Sequence, residues 1–404
     1  MKLLFVHEGS AIIGGAEGNV RRTATELARR GHALGLLHGA GMPAKVIAEW
    51  SNIFDRCFVL EKGDNRPLVQ TALQEFQPDL VYVHKMTDLD VLKTLLASNV
   101  PTVRAVHDHD IYCLRGYKYN YFTRNICTRP ASLHCIFPCG ASLARNHGPG
   151  FPIKWASYRA KKREIKLNQR FQRLVVYSRF SREELLRNGF DENKIEVQVP
   201  ILGGEAALPV QNSFGSRNLL LYVGQVIRGK GVDVLLESLA KMKAPFECLI
   251  VGQGNHRRYC EKLSRRLKLA DRVHFLGFVP AQELRKYYST CSVFVVSSVW
   301  PEPFGMVGPE AMRFGLPVVA FDAGAIKEWL KDGYNGYLVP WMDRAGFAAR
   351  VDELLLNKPL ARQMGERGRE WMTRTYDFTA YIARLETMFS EVISEAGNNG
   401  ALNE

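Results

Sequence analysis

The chain has 404 residues, 46% hydrophobic and 24% charged, with a net charge of +13. That length and apolar content support a large core spread over two or three domains. No apolar run approaches the roughly 18 residues that a membrane helix needs. Met1–Val6 is too short, and Glu8 follows too soon, for a signal peptide, so a cytoplasmic globular protein is expected.

The charge is uneven. Residues 1–200 carry 29 Lys+Arg against 19 Asp+Glu, a balance of +10, and the remainder 25 against 22, or +3. Residues 101–180 alone hold 15 basic and 3 acidic side chains, so +12 falls in this stretch. A field of one sign attracts anionic partners such as lipid head groups or acidic glycans. Nucleic acid is not expected, because no recognition motif accompanies the charge. A plain solvated basic surface remains the equal alternative.

The elements alternate along the chain. Lys2–His7 reads as an apolar strand; Gly14-Gly15 follows, and Ala16–Arg30 is an amphipathic helix ending at Gly31. Further strands are expected at Leu34–His38, Leu80–Val83, Val103–His107, Leu174–Ser178 and Ile195–Val199. Pro200–Asn218, with Gly203-Gly204, Pro209 and Gly215, reads as a linker. The alternation then restarts with strands at Leu219–Val223, Cys248–Val251, Val273–Leu276, Val293–Ser297 and Val318–Phe321, and Phe378–Ile393 has the spacing of a terminal helix. Short β-rich runs between helical patterns imply parallel sheets. The fold class is therefore α/β, two doubly wound Rossmann-like domains facing a central cleft. The boundaries are 1–203, with a Cys-containing insertion at about 110–150, then 204–375, then a helix and tail at 376–404.

Chemistry-bearing residues cluster where strands of such sheets end. Leu221-Tyr-Val-Gly224-Gln225-Val-Ile-Arg228-Gly229-Lys230-Gly231 runs from a strand through a glycine turn into a helix. Glycines admit a diphosphate close to the backbone, and Arg228 and Lys230 can neutralise it. In Ser298-Val-Trp-Pro-Glu302-Pro-Phe304-Gly305-Met306-Val307-Gly-Pro-Glu310, one carboxylate lies on a loop and a second in the first turns of a short helix. That pattern suits a ligand with two sets of vicinal hydroxyls and a phosphate between them, a nucleotide sugar. Read singly, Glu302 is a loop charge and Glu310 a first-turn acid favoured by the helix dipole.

Together these motifs resemble the retaining GT-B glycosyltransferases of family 4, the group 1 glycosyltransferases. The resemblance is strongest from Tyr222 to Pro340, through Val251-Gly252-Gln-Gly254, Phe275–Pro280 and Asp332–Pro340. It implies that Glu302 contacts the donor sugar, Glu310 the ribose, Lys230 the diphosphate and the backbone near Phe278 the base. Gly224 and Gly252 would line the donor site, and backbone N–H groups of Phe304, Gly305, Met306 and Val307 would face phosphate or sugar. In the first half, Gly14 and Gly15 match the family's glycine loop, and His107, ending a strand before Asp108-His109-Asp110, would lie near the transferred sugar. His107, Lys230 and Glu302 are thus the catalytic candidates. Ser178 matches a further strand-end position, and Ser181 reads as a helix N-cap. The family usually places Arg directly after the first glycine of the phosphate turn; here that residue is Gln225.

The implied activity moves a hexose, with retention, from a UDP- or GDP-linked donor to a lipid-linked or polysaccharide acceptor in cell-envelope glycan synthesis. No cofactor is expected for catalysis, because no Asp-x-Asp pair is placed for a nucleotide-bound metal. A peripheral position on the inner membrane face would fit the basic stretch. A nucleotide-sugar epimerase, a phosphorylase on the same fold and a non-catalytic membrane scaffold are the alternatives. Cys113, Cys127, Cys135 and Cys139 have enough thiolates for a structural zinc, with His109 and His134 in reserve; free thiols and disulfides stay open. Lys154–Arg173 reads as a basic helix with interleaved aromatics, packed on a sheet or lying on an anionic membrane.

Overall fold

The computed structural model describes residues 1–9, 15–40, 44–145, 153–199 and 217–401. Gly14 and nearly all of the expected linker lie outside them. The chain divides into two compact units. One comprises Met1–Gly116, Arg129–Gly203 and Phe378–Glu404; the other comprises Tyr117–Thr128 and Gly204–Asp377. The terminal helix thus belongs with the first unit, and a short piece of the first half belongs with the second.

The first unit runs β1 (Lys2–His7), α1 (Gly15–Arg29), β2 (Ala33–Gly39), α2 (Ala44–Trp50), β3 (Arg56–Leu60), α3 (Arg66–Phe76), β4 (Leu80–Val83), α4 (Leu89–Ala97) and β5 (Thr102–Val106). It continues with β6 (Leu143–Arg145), β7 (Ile153–Trp155), α5 (Tyr158–Asn168), β8 (Arg173–Val176), α6 (Arg179–Arg187) and β9 (Ile195–Val197). Its seven-stranded sheet has the order β3-β2-β1-β4-β5-β8-β9, with every pair parallel, while β6 and β7 form a separate antiparallel pair. Central strands such as Leu80-Val-Tyr-Val83 are apolar throughout because helices cover both faces. Leu4, Val6, Val81, Leu92, Leu174 and Val176 belong to the core.

The second unit contains β10 (Leu219–Val223), α7 (Val232–Leu239), β11 (Glu247–Val251), α8 (Arg257–Arg266), β12 (Val273–Gly277), α9 (Ala281–Thr290) and β13 (Val293–Val296). It ends with α10 (Val307–Arg313), β14 (Val318–Phe321), α11 (Ile326–Trp329), β15 (Gly336–Val339), α12 (Arg344–Leu356) and α13 (Lys358–Thr375). The parallel sheet order is β12-β11-β10-β13-β14-β15. Both sheets reverse their winding next to their first strand, between β1 and β4 and between β10 and β13. Ligands of open α/β sheets bind beyond the strand ends at such reversals. The final helix, α14 (Phe378–Ala401), buries Tyr381, Leu385 and Phe389, and its Glu386 takes Arg30 and His32 of the first unit at 2.7 Å each.

Two local expectations change. Ser178, not Ser181, caps α6: its hydroxyl accepts from the Ser181 amide at 3.0 Å, and Ser181 itself is buried in the first turn. The basic helix is shorter than Lys154–Arg173, because Ile153–Trp155 is strand and Ser157 caps Tyr158 onward. It packs Ile165 and Leu167 inward and leaves Arg159, Lys162, Arg163 and Lys166 exposed.

Candidate functional site

In the second unit, the turn after β10 is fixed by close backbone approach. Gly252 has φ +137°, and a Cβ there would lie 1.8 Å from the Gly224 carbonyl oxygen. Gly231 has φ +65°, and a Cβ would lie 2.1 Å from the Ser297 carbonyl oxygen. Both positions therefore demand glycine. The Val299 and Trp300 amides donate to the Gly229 carbonyl at 2.9 and 3.0 Å, and the Ser297 hydroxyl donates to the Lys230 carbonyl at 3.0 Å. These bonds tie the turn Arg228–Lys230 to the loop after β13.

Glu302 sits where that tie converges. It is 4% exposed, and its Oε1 accepts from Lys230 Nζ at 2.7 Å, from Trp300 Nε1 at 2.8 Å and from the Ser298 hydroxyl. Oε2 takes no hydrogen bond among the described residues. Burial alone would raise the carboxyl's pKa; the adjacent Lys230 charge and the three donors outweigh it and hold the group below its ordinary value. Lys230 also lies 4.9 Å from the centre of the Trp300 ring. The Arg228 side chain, by contrast, makes no hydrogen bond or ion pair among the described residues, and its buried Nε has no partner.

The segment that follows is wrapped on Trp329. The indole N–H donates to the Phe304 carbonyl at 2.6 Å, and Gly308 packs so closely on the ring that a Cβ would lie 2.1 Å from it. Phe304 is buried, its ring edge-on to Tyr376, so its side chain is structural, while Gly305, Met306 and Val307 are half-buried. Glu310, in the first turn of α10, is half-buried, with the Tyr288 hydroxyl donating to its Oε2 at 3.4 Å. Phe278, just past β12, is 64% exposed.

In the first unit, β1, β4 and β5 end side by side, which brings His7, His84 and His107 together. His84 Nδ1 lies 3.0 Å from His107 Nε2, and the Tyr177 hydroxyl lies 3.4 Å from that same nitrogen. Burial, reinforced by the nearby His7, pushes His107 down to about 3; burial and the other two histidines push His84 well down. Both are neutral at physiological pH. His109 is buried and bonded to the Tyr112 hydroxyl at 2.7 Å. Asp110 is pushed up to about 7 by burial and then by Asp108. Gly15 opens α1 and is exposed.

The zinc set expected from the cysteines is not assembled: among the described residues no group of three or more His, Cys, Asp or Glu could hold a metal ion. Cys113 packs on the first unit's core, whereas Cys127 falls in the piece of chain that belongs to the second.

His84, Trp300, Trp329 and Tyr177 were not singled out in the sequence. Trp300 stands only two residues before Glu302, the carboxylate its indole N–H reaches; the others meet their partners through tertiary folding alone.

Two family models account for most of the chain: Glycosyltransferase Family 4 over residues 13–198 and Glycosyl transferases group 1 over residues 205–371. An uncharacterized glycosyltransferase of Methanocaldococcus jannaschii is 32% identical over 43% of this chain and 44% of its own length. The GDP-mannose-dependent alpha-(1-6)-phosphatidylinositol monomannoside mannosyltransferase of Mycolicibacterium smegmatis is 27% identical over 51% of this chain and 56% of its own. The chain spans about half the length of the curated relatives it matches. Among solved structures, HepE of Anabaena, in complex with UDP and glucose, superposes with a TM-score of 0.71 at 20% identity, covering 97% of this chain and 100% of HepE. WaaG, a glycosyltransferase involved in lipopolysaccharide biosynthesis, superposes with a TM-score of 0.67 at 18% identity, covering 96% of this chain and 99% of WaaG. The chain belongs to the group 1, family 4 glycosyltransferases and has their two-domain GT-B fold.

Proposed function

We propose that this chain transfers a hexose from a nucleoside diphosphate sugar to a lipid-linked or polysaccharide acceptor in cell-envelope glycan synthesis, with retention at the anomeric carbon and without a divalent metal. The observation that carries the reading is Glu302: a buried carboxylate with one oxygen saturated by three donors and the other left to accept sugar hydroxyls. Its partner Lys230 and the unpaired Arg228 stand one turn from the glycines that admit a diphosphate. Glu310 is assigned to the ribose diol and Phe278 to the base. His107, neutral, is assigned to a hydroxyl of the transferred sugar.

In the reaction, the bond from the anomeric carbon to the diphosphate oxygen breaks, and its electron pair leaves with the diphosphate, stabilised by Lys230, Arg228 and backbone N–H groups. The acceptor oxygen bonds to the anomeric carbon on the same face, and its proton passes to the departing phosphate oxygen. Relatives that use GDP-mannose or were solved with UDP-glucose support such a donor.

A peripheral hold on an anionic membrane is part of the reading. It is supported by the exposed Leu133, Phe137 and Trp155 of the first unit and the basic outer face of α5. No described helix is long and apolar enough to cross a membrane.

The test is donor turnover in excess chelator, with the first-formed sugar followed by proton NMR. Retained configuration and undiminished turnover are expected; an inverted anomer or a strict metal requirement overturns the mechanism.

A further inference from the structure

The piece of the first half that belongs to the second unit, Tyr117–Thr128, lies against the phosphate turn. It is a self-bonded loop: Tyr119 and Ile126 form a bridge, the Cys127 amide donates to the Lys118 carbonyl at 2.8 Å, and Asn120 Oδ1 accepts from the Phe122 and Thr123 amides at 2.9 and 3.0 Å. Its anchor is Arg124, whose two terminal nitrogens meet both oxygens of Asp233 in the first turn of α7. The pair is nearly sealed from water, with side chains 11% and 8% exposed. Although burial opposes it, His256, whose Nε2 lies 3.5 Å from Oδ2, and the hydrogen bonds from Arg124 hold Asp233 down at about 2, so it is ionised at neutral pH.

Two rings of this loop then fall on the turn, and a third falls on the Trp300 loop bonded to it. Tyr117 lies 6.3 Å from the Trp300 ring, Tyr119 packs over Gly229, and Tyr121 lies beneath the Arg228 guanidinium at 4.6 Å. The two cations of the turn are thus held differently. Lys230 is paired with Glu302, whereas Arg228 has an aromatic ring under one face and no acid partner among the described residues. A half-buried guanidinium with an unbonded Nε is costly unless an anion completes it.

We infer that Tyr117–Thr128 is a strap that holds Arg228 in place for the β-phosphate of a nucleoside diphosphate, with Tyr121 as the positioning residue and Arg124–Asp233 as its fastening. Arg228 thereby supplies the charge that Gln225 lacks. The inference rests on the donor-site reading of the second unit. A ring beneath the guanidinium fixes its plane and leaves its N–H edge open to phosphate oxygens.

The experiment is calorimetric titration of the full chain with UDP and GDP and with the matching monophosphates. Tyr121→Ala, at a position 42% exposed and so tolerant of truncation, is expected to weaken diphosphate binding roughly tenfold and monophosphate binding far less. Arg228→Ala is expected to do the same, the double variant no more than either, and Tyr121→Phe to recover the loss. Unchanged affinity in Tyr121→Ala beside a weakened Arg228→Ala overturns the strap's role, as does an equal loss for mono- and diphosphates. If the wild-type protein binds neither diphosphate, the donor-site reading itself falls, and the strap's role with it.

Discussion

Lys230→Met leaves Glu302 buried with only Ser298 and Trp300 as donors, neither of them charged. Removing one partner of a buried pair costs about 3 kcal/mol, because the remaining charge is left uncompensated. Glu302→Gln is expected to cost less, about 1 kcal/mol, since the Lys230 side chain is 21% exposed and can hydrate. The double variant should fall near the milder single one, giving a coupling of about 2–3 kcal/mol in a double-mutant cycle. In melting temperature this is roughly 2–4 °C per kcal/mol for a unit of this size. The pH dependence gives a second check. The wild-type carboxyl lies below its ordinary pKa, so the pair's contribution is whole at neutral pH and is lost as pH falls through that lowered value. Without Lys230, burial raises the pKa instead, so the penalty of Lys230→Met should grow from pH 5 to pH 7.5. Thermal denaturation of the four proteins at both pH values measures this. Additive costs, or a penalty that shrinks toward pH 7.5, would refute the pairing of these two groups.

Two further outcomes follow from the packing. His107, held at about 3 against an ordinary 6.5 by burial and His7, with Asp108, Glu17 and Lys85 also acting on it, contributes stability that is whole above pH 6.5 and lost as pH falls toward 3. The slope is about 1.4 kcal/mol per pH unit for one such group, and His107→Gln should flatten the acid limb of a denaturation profile by that amount. Gly308→Ala drives a methyl group into Trp329 and should cost about 1–3 kcal/mol, read as a fall in melting temperature with quenched or shifted tryptophan emission.

The strands at the centre of each sheet were legible because burial on both faces makes them continuously apolar: Lys2–His7, Leu80–Val83, Leu219–Val223 and Val318–Phe321 each form a strand where expected. The edge strands β3 and β15 were not. Arg56, Cys57 and Val59 face solvent, and Gly336–Val339 follows a turn-rich run, so neither has an unbroken apolar pattern. Glu302 and Lys230 were found by local motif, and their 2.7 Å contact joins residues 72 apart in sequence. The strap left no such trace, since Arg124 and Asp233 are 109 residues apart and neither belongs to a periodic pattern. Likewise, His84 is marked in the sequence only as a histidine after a strand; the β1-β4-β5 order is what carries it to His107.

The most direct measurement is calorimetric titration of the full chain with UDP- and GDP-linked hexoses, repeated on Glu310→Ala and Lys230→Ala. One of the two donor classes should bind saturably at one site per chain, and each substitution should weaken it by tenfold or more. Equal affinity in wild type and both variants, or no binding of either class, would contradict a nucleotide-sugar site built on Lys230, Glu302 and Glu310.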